Sequence, residues 1–321
     1  MTIGRAKQTA NASTVLQKKG FLFELKKNKV LFLMLVPTLV FFVVNDYIPM
    51  VGIYYAFTKY DFRGGLFGSK FVGLQNFEYL FKSGTLMTIT RNTILYNIVF
   101  IVIGNFMEIL VAILVSRMVT NHYKKVLQSL TFLPYFVSSV ILGVLVYNFF
   151  NYDHGMFNAF RAQLGMSKVD VYNAPGYWPV IITAFYIWTN LGYGMVVYLA
   201  SVMGIGDEFY EAAEIDGANV FKQIRYITLP MLKPTFITLF LFALGGIMHG
   251  QFDLFYQLVG NNGVLFKTTD IIDTYVYRSL ISYFDVGLST AAGVYQSVFG
   301  FILIMIVNTV VRHINEDYAL F

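Results

Sequence analysis

The chain has 321 residues, of which 57% are hydrophobic and only 13% are charged, and its mean hydropathy is +0.61. Soluble domains carry roughly 25% charged residues, so the composition excludes an ordinary soluble domain and indicates several membrane-spanning segments. The absence of cysteine excludes disulfides, a thiol nucleophile and a cysteine-based metal site. Basic residues at a membrane surface explain the net charge of +5, so no nucleic-acid partner is expected.

The first 29 residues are polar and then basic, and we assign them to a cytoplasmic segment that precedes a transmembrane domain at 30–321. Between Lys18 and Lys29 the lysines alternate with phenylalanine and leucine, as in a helix that lies on a bilayer surface. A plain topological flank explains the pattern equally well. No cleavable signal peptide is expected, because the first apolar run is too long for one.

Six apolar runs have the length of about 20 residues that a membrane-spanning helix needs. They are residues 31–57, 89–117, 126–150, 178–203, 232–256 and 288–311. If the N-terminus is inside, fourteen of the 23 lysines and arginines lie on the inner side, so both termini are predicted to be cytoplasmic. The sequence therefore predicts an all-α polytopic membrane protein with six transmembrane helices.

A charged segment, residues 207–230, separates the fourth and fifth apolar runs and is typical of a helix, a turn and a second helix. Asp207 is predicted to cap the first helix. Gly217 suits the position just past a helix end, where φ is positive. Asn219 then caps the second helix, which is predicted to end near Pro230.

One face of the first predicted helix is small and apolar, although the segment around it is charged. The residues on that face are Phe209, Ala213 and Gly217, which are spaced four apart. A protein partner that covers this face is its best explanation, since it lies in a short loop beside a membrane.

The same loop resembles the cytoplasmic coupling loop of permease subunits in binding-protein-dependent ABC importers. The likeness lies in Glu211-Ala212-Ala213, then Asp216-Gly217-Ala218, then Ile227-Thr228-Leu229-Pro230. An interfacial helical hairpin with a chance Glu-Ala-Ala is the alternative. From about residue 30 to its end, the chain is also similar to maltose-type carbohydrate permeases, in particular to the group that imports polysaccharides and oligosaccharides. That similarity includes Pro134-Tyr135-Phe136 and the tail at Asn315–Phe321.

This resemblance implies a multi-pass subunit of a bacterial cell-membrane importer, with a coupling helix that docks onto an ATP-hydrolysing subunit. The residues that it assigns to this contact are Glu208, Glu211, Ala212, Ala213, Asp216 and Gly217. The implied partners are a second homologous permease, two ATP-binding cassette subunits, an extracellular solute-binding lipoprotein, membrane lipid and a carbohydrate substrate. The chain itself would bind no cofactor, because ATP and Mg²⁺ bind to the ATPase subunits.

Polar and aromatic side chains within the apolar runs are the candidates for a substrate pathway. A carboxylate at the centre of a span costs roughly 2.5–3.5 kcal/mol on insertion scales and so requires a reason. The candidates are Glu108 in the second run, Trp188, Asn190 and Tyr193 in the fourth, and His249, Gln251, Asp253 and Tyr256 in the fifth. They would bind sugar hydroxyls and stack on sugar rings. A structural role between helices or at the headgroups is the alternative.

Small residues and one proline within the runs carry further expectations about packing. Pro134 is expected to disrupt the helix ladder early in the third run and so to favour a bend, although a harmless proline in the entry turn explains its position equally well. Close helix packing is expected at Gly143, Gly192, Gly194 and Gly293.

Motifs of enzymatic chemistry are missing from the sequence. It has no phosphate-loop motif, no metal-ligand spacing among its four histidines, and no nucleophile-elbow serine. We therefore expect a transport subunit that binds no metal and has no catalytic residues. One alternative is a secondary transporter of a polar solute, although no inverted repeat is obvious. The other is an integral membrane enzyme, although no acidic cluster lies at a membrane face.

Overall fold

The computed structural model describes residues 21–118 and 120–314, and most of these residues are helical. The α-helices are α1 (Phe21–Lys27), α2 (Lys29–Phe42), α3 (Gly65–Gly68), α4 (Gln75–Lys82), α5 (Thr85–Ser116), α6 (Asn121–Phe132), α7 (Ser139–Phe150), α8 (Met156–Gln163), α9 (Trp178–Met203), α10 (Asp207–Ile215), α11 (Val220–Gln223), α12 (Leu229–Gly245), α13 (Phe252–Val259), α14 (Phe266–Thr269), α15 (Ile272–Ile281) and α16 (Val286–Ile314). The strands β1 (Thr58–Lys59) and β2 (Lys70–Phe71) pair antiparallel, with Thr58 opposite Phe71.

The chain divides into two compact units, residues 1–52 and 53–321. The described part of the first unit contains α1, α2 and a π-helical stretch at Val43–Tyr47. No side chain of α2 is buried, although the helix is apolar on all sides. A helix of this kind needs lipid or another protein around it, which agrees with a membrane-spanning role. Of the predicted basic segment, residues 1–20 lie outside the described residues.

Five helical segments of the described chain are long and apolar enough to cross a membrane. They are Lys29–Phe57, Thr85–Ser116, Pro175–Met203, Val220–Gly245 and Val286–His313. These segments overlap five of the six predicted runs, with ends that differ by a few residues except at the fifth run. The number rises to six if one bent pair of helices counts as a single span.

The bent pair replaces the straight helix predicted at 126–150. Asn121–Phe136 and Ser139–Phe150 meet at 92°, and Pro134 lies in the 3₁₀ turn just before this bend. Proline has no N–H to donate to the helical hydrogen-bond pattern. After the bend, α7 begins with its own N-cap, because Ser138 Oγ accepts from the Ile141 N–H. The expected disruption at Pro134 is therefore present.

The fifth predicted run, 232–256, is wrong at both ends. A π-helical stretch at Ile224–Thr228 continues directly into α12, so the predicted helix end near Pro230 does not exist. Pro230 lies at the second position of α12, directly after this π-helical stretch, so its missing N–H removes one bond from a continuous helical ladder. At the other end α12 stops at Gly245, and an irregular segment at 246–251, hereafter the break, leads into α13.

Glycines allow close packing at three of the four positions where the sequence suggested it. A Cβ added at Gly192 would lie 2.4 Å from the Thr131 carbonyl oxygen, and one at Gly143 would lie 2.5 Å from the Gln257 carbonyl oxygen. A Cβ at Gly194 would overlap the Glu108 carboxylate. The expectation for Gly293 is wrong, because no described atom lies within 4 Å of the position its Cβ would take.

Buried apolar side chains of the second unit form three clusters, and α5 contributes to all of them. The cluster nearest the C-terminal end of α5 contains Ala112, Met195, Tyr198, Leu199 and Leu232, and thus joins α5, α9 and α12. Within the same region Tyr198 donates a hydrogen bond to Asn105 Oδ1. The second span is consequently the helix against which much of this unit packs.

Candidate functional site

The charged loop at residues 207–230 begins with α10, and the start of this helix differs from the predicted one. Gly206, not Asp207, is the N-cap, with an extended conformation (φ −61°, ψ 138°), and no side chain caps the helix. Asp207 and Glu208 instead lie in the first turn, where their negative charges interact favourably with the positive end of the helix dipole. The Glu208 carboxylate folds back so closely over Gly206 that a Cβ there would overlap it.

The end of α10 and the start of α11 follow the local signals in the sequence. Gly217 has φ +75°, and the next residue, Ala218, donates from its N–H to the Ala213 carbonyl oxygen at 2.8 Å. Asn219 Oδ1 accepts from the Lys222 N–H at 3.0 Å and caps α11. These two predictions are confirmed, because glycine and asparagine here act on backbone groups within a few residues.

The residues assigned to partner contact form an open surface on α10. The exposed members are Glu208, Glu211, Ala212, Asp216 and Gly217, while Ala213 is half-buried. Large apolar side chains accompany these charges: Ile215 is 87% exposed and Phe221, on α11, is 83% exposed. Within the described residues, α10 contributes no side chain to the three apolar clusters.

A group of polar contacts that the sequence did not reveal attaches the loop to the spans; we call it the Arg117 junction. Arg117 Nη1 donates to Gln223 Oε1 at 2.9 Å, and its guanidinium carbon lies 4.6 Å from the centre of the Tyr210 ring. The Tyr210 and Thr228 hydroxyl oxygens are 3.0 Å apart, and Gln223 Nε2 donates to Glu214 Oε1 at 3.4 Å. Arg117 is 106 residues from Gln223 in sequence, so no local pattern could have indicated the contact.

A cavity of about 360 Å³ lies between α7, α9 and the break. Three candidate pathway residues line it together: Asn190 from α9, and Gln251 and Asp253 from the break and the start of α13. Further polar and aromatic lining comes from residues that were not among the candidates, namely Tyr135, Ser139, Tyr186, Thr189 and Phe252. Hydroxyl, amide and carboxylate groups beside aromatic rings are suited to a hydroxyl-rich ligand.

The other candidate pathway residues do not line this cavity. Tyr193 stacks on Tyr135, a lining residue, with ring centres 5.5 Å apart. Trp188 is partly exposed and contacts Phe185 edge to face. Glu108 packs against Gly194.

Two of these candidates belong to the end of the fifth run. His249 is exposed at the break. Tyr256 lies against Phe252 and Tyr277 in a small aromatic group. Because α12 ends at Gly245, the placement of His249, Gln251, Asp253 and Tyr256 within one continuous fifth helix is wrong.

The break beside the cavity is held by side chains from α5, α15 and α16. Asn97 Nδ2 donates to the carbonyl oxygens of Ile247 (3.0 Å) and His249 (3.1 Å), Gln296 Nε2 donates to that of Met248 (2.7 Å), and Asp273 Oδ2 accepts from Gly250 N (2.7 Å). Non-helical backbone at membrane depth is tolerated only when its polar groups are satisfied in this way. Side chains of three other helices therefore fix the backbone conformation of the break.

A buried ion pair organises the segment between α13 and α16. Arg278 Nη1 donates to Asp270 Oδ1 at 3.0 Å, and both side chains are almost fully buried. The Arg278 guanidinium also lies 3.9 Å from the centre of the Phe266 ring, and Asn92 of α5 donates to the Asp270 carbonyl oxygen at 2.9 Å. This segment is therefore fixed to α5 as well.

Three features are typical of a membrane transport subunit: the long apolar helices, the break whose backbone groups are hydrogen-bonded beside a polar cavity, and the exposed charged loop. Residues 108–316 match the family described as "Binding-protein-dependent transport system inner membrane component", and the chain belongs to that family. The resemblance found in the sequence is confirmed, and the chain is a multi-pass permease of an ABC importer. Its family consists of transport components, and the alternative of a secondary transporter is not favoured.

Relatives cover nearly the whole chain. It is 31% identical over 302 residues to the polygalacturonan/rhamnogalacturonan transport system permease protein YteP of Bacillus subtilis (strain 168), covering 94% of this chain and 93% of that protein. It is 30% identical to Protein LplB of the same organism, over 91% of this chain and 92% of LplB. Among solved structures, a chain of a bacterial alginate ABC transporter, crystallised with an alginate pentasaccharide-bound periplasmic protein, is similar with a TM-score of 0.82. That chain is 30% identical, over 92% of this chain and 98% of its own length.

Proposed function

We propose that the chain is one of two membrane-spanning permease subunits of an ATP-driven importer in the bacterial cell membrane. Its substrate is an oligosaccharide or a polysaccharide fragment delivered by an extracellular binding protein. Similarity to YteP, which is named for polygalacturonan and rhamnogalacturonan, and to an alginate transporter chain supports this substrate class. The hydroxyl, amide and aromatic lining of the cavity also supports it.

The observation that carries the proposal is the surface of α10. An exposed helix with acidic residues beside bare apolar side chains is explained by a partner that covers it. We assign that partner as an ATP-binding cassette subunit, which contacts Glu208, Glu211, Ala212, Ala213, Asp216 and Gly217. Two such subunits bind the ATP and Mg²⁺, while this chain binds no cofactor.

The proposed topology places α10 where ATP is available. It has six spans, with the bent pair counted as the third, and both termini and the loop in the cytoplasm. The excess of lysine and arginine on that side supports this orientation. The domain layout remains a cytoplasmic segment at 1–29 followed by the transmembrane domain at 30–321. The tail at Asn315–Phe321, which contributes to the resemblance, lies outside the described residues.

In the proposed mechanism the ATPase subunits close on ATP and displace α10, and the spans open the cavity to the other side. To move such a two-state gate from 1:99 to 99:1 requires about 5.5 kcal/mol of differential binding. Asn190, Gln251 and Asp253 bind sugar hydroxyls during passage, and Tyr135 offers a ring face. Glu108, Trp188, Tyr193, His249 and Tyr256 remain proposed pathway residues away from the cavity lining.

The proposal is tested by purifying the chain together with the co-expressed second permease, the ATPase and the binding protein, and by assaying uptake of labelled oligosaccharide into proteoliposomes. We expect ATP-dependent uptake that an uncoupler does not abolish. Uptake that is lost with an uncoupler and indifferent to ATP would support a secondary transporter instead.

A single substitution on α10 tests the assignment of its partner. Glu211→Lys reverses an exposed charge and is expected to weaken capture of the ATPase and to abolish ATP-driven uptake, while the chain still inserts and folds. Glu78→Lys is the matched control, because Glu78 is also exposed but lies on α4. If Glu211→Lys supports undiminished uptake, the assignment of this surface is wrong.

A further inference from the structure

Arg117 follows directly on α5, and its guanidinium contacts both helices of the coupling loop. It donates to Gln223, on α11, at 2.9 Å, and it lies over the ring of Tyr210, on α10, at 4.6 Å. A planar guanidinium can bond through its edge and stack through its face at the same time, which a lysine ammonium cannot do. One side chain at the end of a span thus holds two separate helices of the loop.

Two residues of the junction around Arg117 are buried. Gln223 and Thr228 are 2% and 1% exposed. They share the two side-chain hydrogen bonds that the structure describes for α10. One joins the Tyr210 and Thr228 hydroxyl groups, and the other is donated by Gln223 Nε2 to Glu214 Oε1. Since α10 places no side chain in the described apolar clusters, a displacement of α10 reaches the spans through this junction or through the backbone at the two ends of the helix.

The helix that precedes Arg117 also contacts the break beside the cavity. Helix α5 is unbroken over its 32 residues and carries Asn97, which bonds the Ile247 and His249 carbonyl oxygens of the break. Twenty residues separate Asn97 from Arg117, a rise of roughly 30 Å along a helix. Because the backbone bonds of α5 are intact, a shift at Arg117 moves the break as part of one body.

The Arg117 guanidinium has a hydrogen-bond donor that no described residue uses, which permits a second arrangement of the contacts in the junction. Nη2 of Arg117 is buried and has no hydrogen-bond partner among the described residues. A transmitting contact needs two discrete arrangements that both sites bias, and an unused donor allows the junction to exchange partners without losing its charge-assisted bonds.

We propose that Arg117 is a positioning residue that transmits displacement of α10 to α5 and, through α5, to the break beside the substrate cavity. The inference rests on the proposed function, because it requires α10 to be the surface that the ATPase subunits move. It adds to that function a route inside this chain, which runs from Tyr210 and Gln223 through Arg117 to Asn97.

The test uses the complete importer, with its ATPase and binding protein, reconstituted in proteoliposomes. ATP hydrolysed and oligosaccharide transported are measured together. In Arg117→Ala the ATPase subunits are expected to remain bound, while the oligosaccharide transported per ATP falls at least about fivefold, the lower end of common coupling effects. Arg117→Lys keeps the charge but not the planar stack, and we expect it to recover part of the loss.

Tyr210→Leu removes the ring that Arg117 contacts and is expected to lower transport per ATP to a similar degree. The double variant should be no worse than either single variant, because both remove one contact. Lys125→Ala is the control, since Lys125 is an exposed cation on α6 without a described contact to the junction.

Three outcomes would overturn the inference. The first is that Arg117→Ala transports as much oligosaccharide per ATP hydrolysed as the wild type. The second is that the losses of the two single variants add in the double variant. The third is that Arg117→Ala releases the ATPase. If the Arg117→Ala chain itself does not fold or insert into the membrane, Tyr210→Leu decides, and a wild-type ratio in that variant overturns the inference. Failure of the proposed function has a different signature, because the wild-type importer would then show no ATP-driven uptake at all.

Discussion

At the scale of single residues, the cavity separates the candidate pathway side chains into two groups. Asp253, Gln251 and Asn190 share one lining, whereas His249, only four residues before Asp253, is exposed away from it. The distinction arises from the direction of the chain at the break, which no periodicity in the sequence encodes.

This separation predicts unequal effects of substitution. Asp253→Asn removes the charge, and Asn190→Ala the amide, of a side chain that is proposed to bind sugar hydroxyls. A hydrogen bond to a charged group contributes about 1.5–3 kcal/mol, and one between neutral groups about 0.5–1.5 kcal/mol. We therefore expect the apparent affinity for oligosaccharide during uptake to fall roughly tenfold or more in Asp253→Asn and roughly two- to tenfold in Asn190→Ala, with ATPase assembly unchanged. His249→Gln is the control and is expected to change the affinity less; equal losses in all three variants would contradict the assigned lining.

At the scale of elements, the break after α12 depends on side chains from other helices. Asn97→Ala would leave the Ile247 and His249 carbonyl oxygens without this partner, and an unsatisfied buried polar group costs about 1–3 kcal/mol. We expect a lower unfolding temperature of the purified permease in detergent, together with reduced uptake.

Asn148→Ala provides the comparison for that variant. Asn148 is an exposed asparagine whose amide also donates to a backbone carbonyl oxygen, but within its own helix, at Val144. Its loss is expected to change stability little. Equal unfolding temperatures for the two variants would mean that Asn97 does not support the break.

The ion pair before α16 gives a second prediction at this scale. Asp270→Asn leaves Arg278 buried without its opposite charge, which costs about 3–5 kcal/mol. The exposed pair of Glu78 and Lys82 is the natural control, because Glu78→Gln at a surface pair costs about 0–1 kcal/mol. Chemical denaturation of the purified permease should therefore distinguish the two variants clearly, and similar midpoints would refute a structural role for the buried pair.

At the scale of the whole molecule, the absence of cysteine makes the orientation directly measurable. A single cysteine at Ile215, on α10, is expected to react with a membrane-impermeant thiol reagent only when the inner face is accessible. One at Phe62, which is 88% exposed in the first predicted outer loop, should react from outside intact cells. The opposite labelling pattern would invert the topology and place α10 on the side of the membrane opposite the proposed ATPase partner.

Local features of the fold were predictable because the groups that create them are neighbours in the chain. Gly217 with its positive φ, Asn219 as a cap and Pro134 at the bend each act on backbone within a few residues. Asp207 is an informative error, since a residue suited to capping was displaced by Gly206 in the extended conformation one position earlier. The apolar runs were equally accessible, because the length and hydropathy of a span are properties of contiguous residues.

The sequence by itself therefore determined the membrane-spanning class, the family, and the turn and cap within the loop at residues 207–230, since each depends on contiguous residues. Only the tertiary structure decided how these parts are joined. Asn97 and Ile247 are 150 residues apart, and Arg117 and Gln223 are 106 apart, yet both pairs are hydrogen-bonded. The reason is that a hydrogen bond requires positions within about 3 Å, and helices distant in sequence reach that distance only by packing.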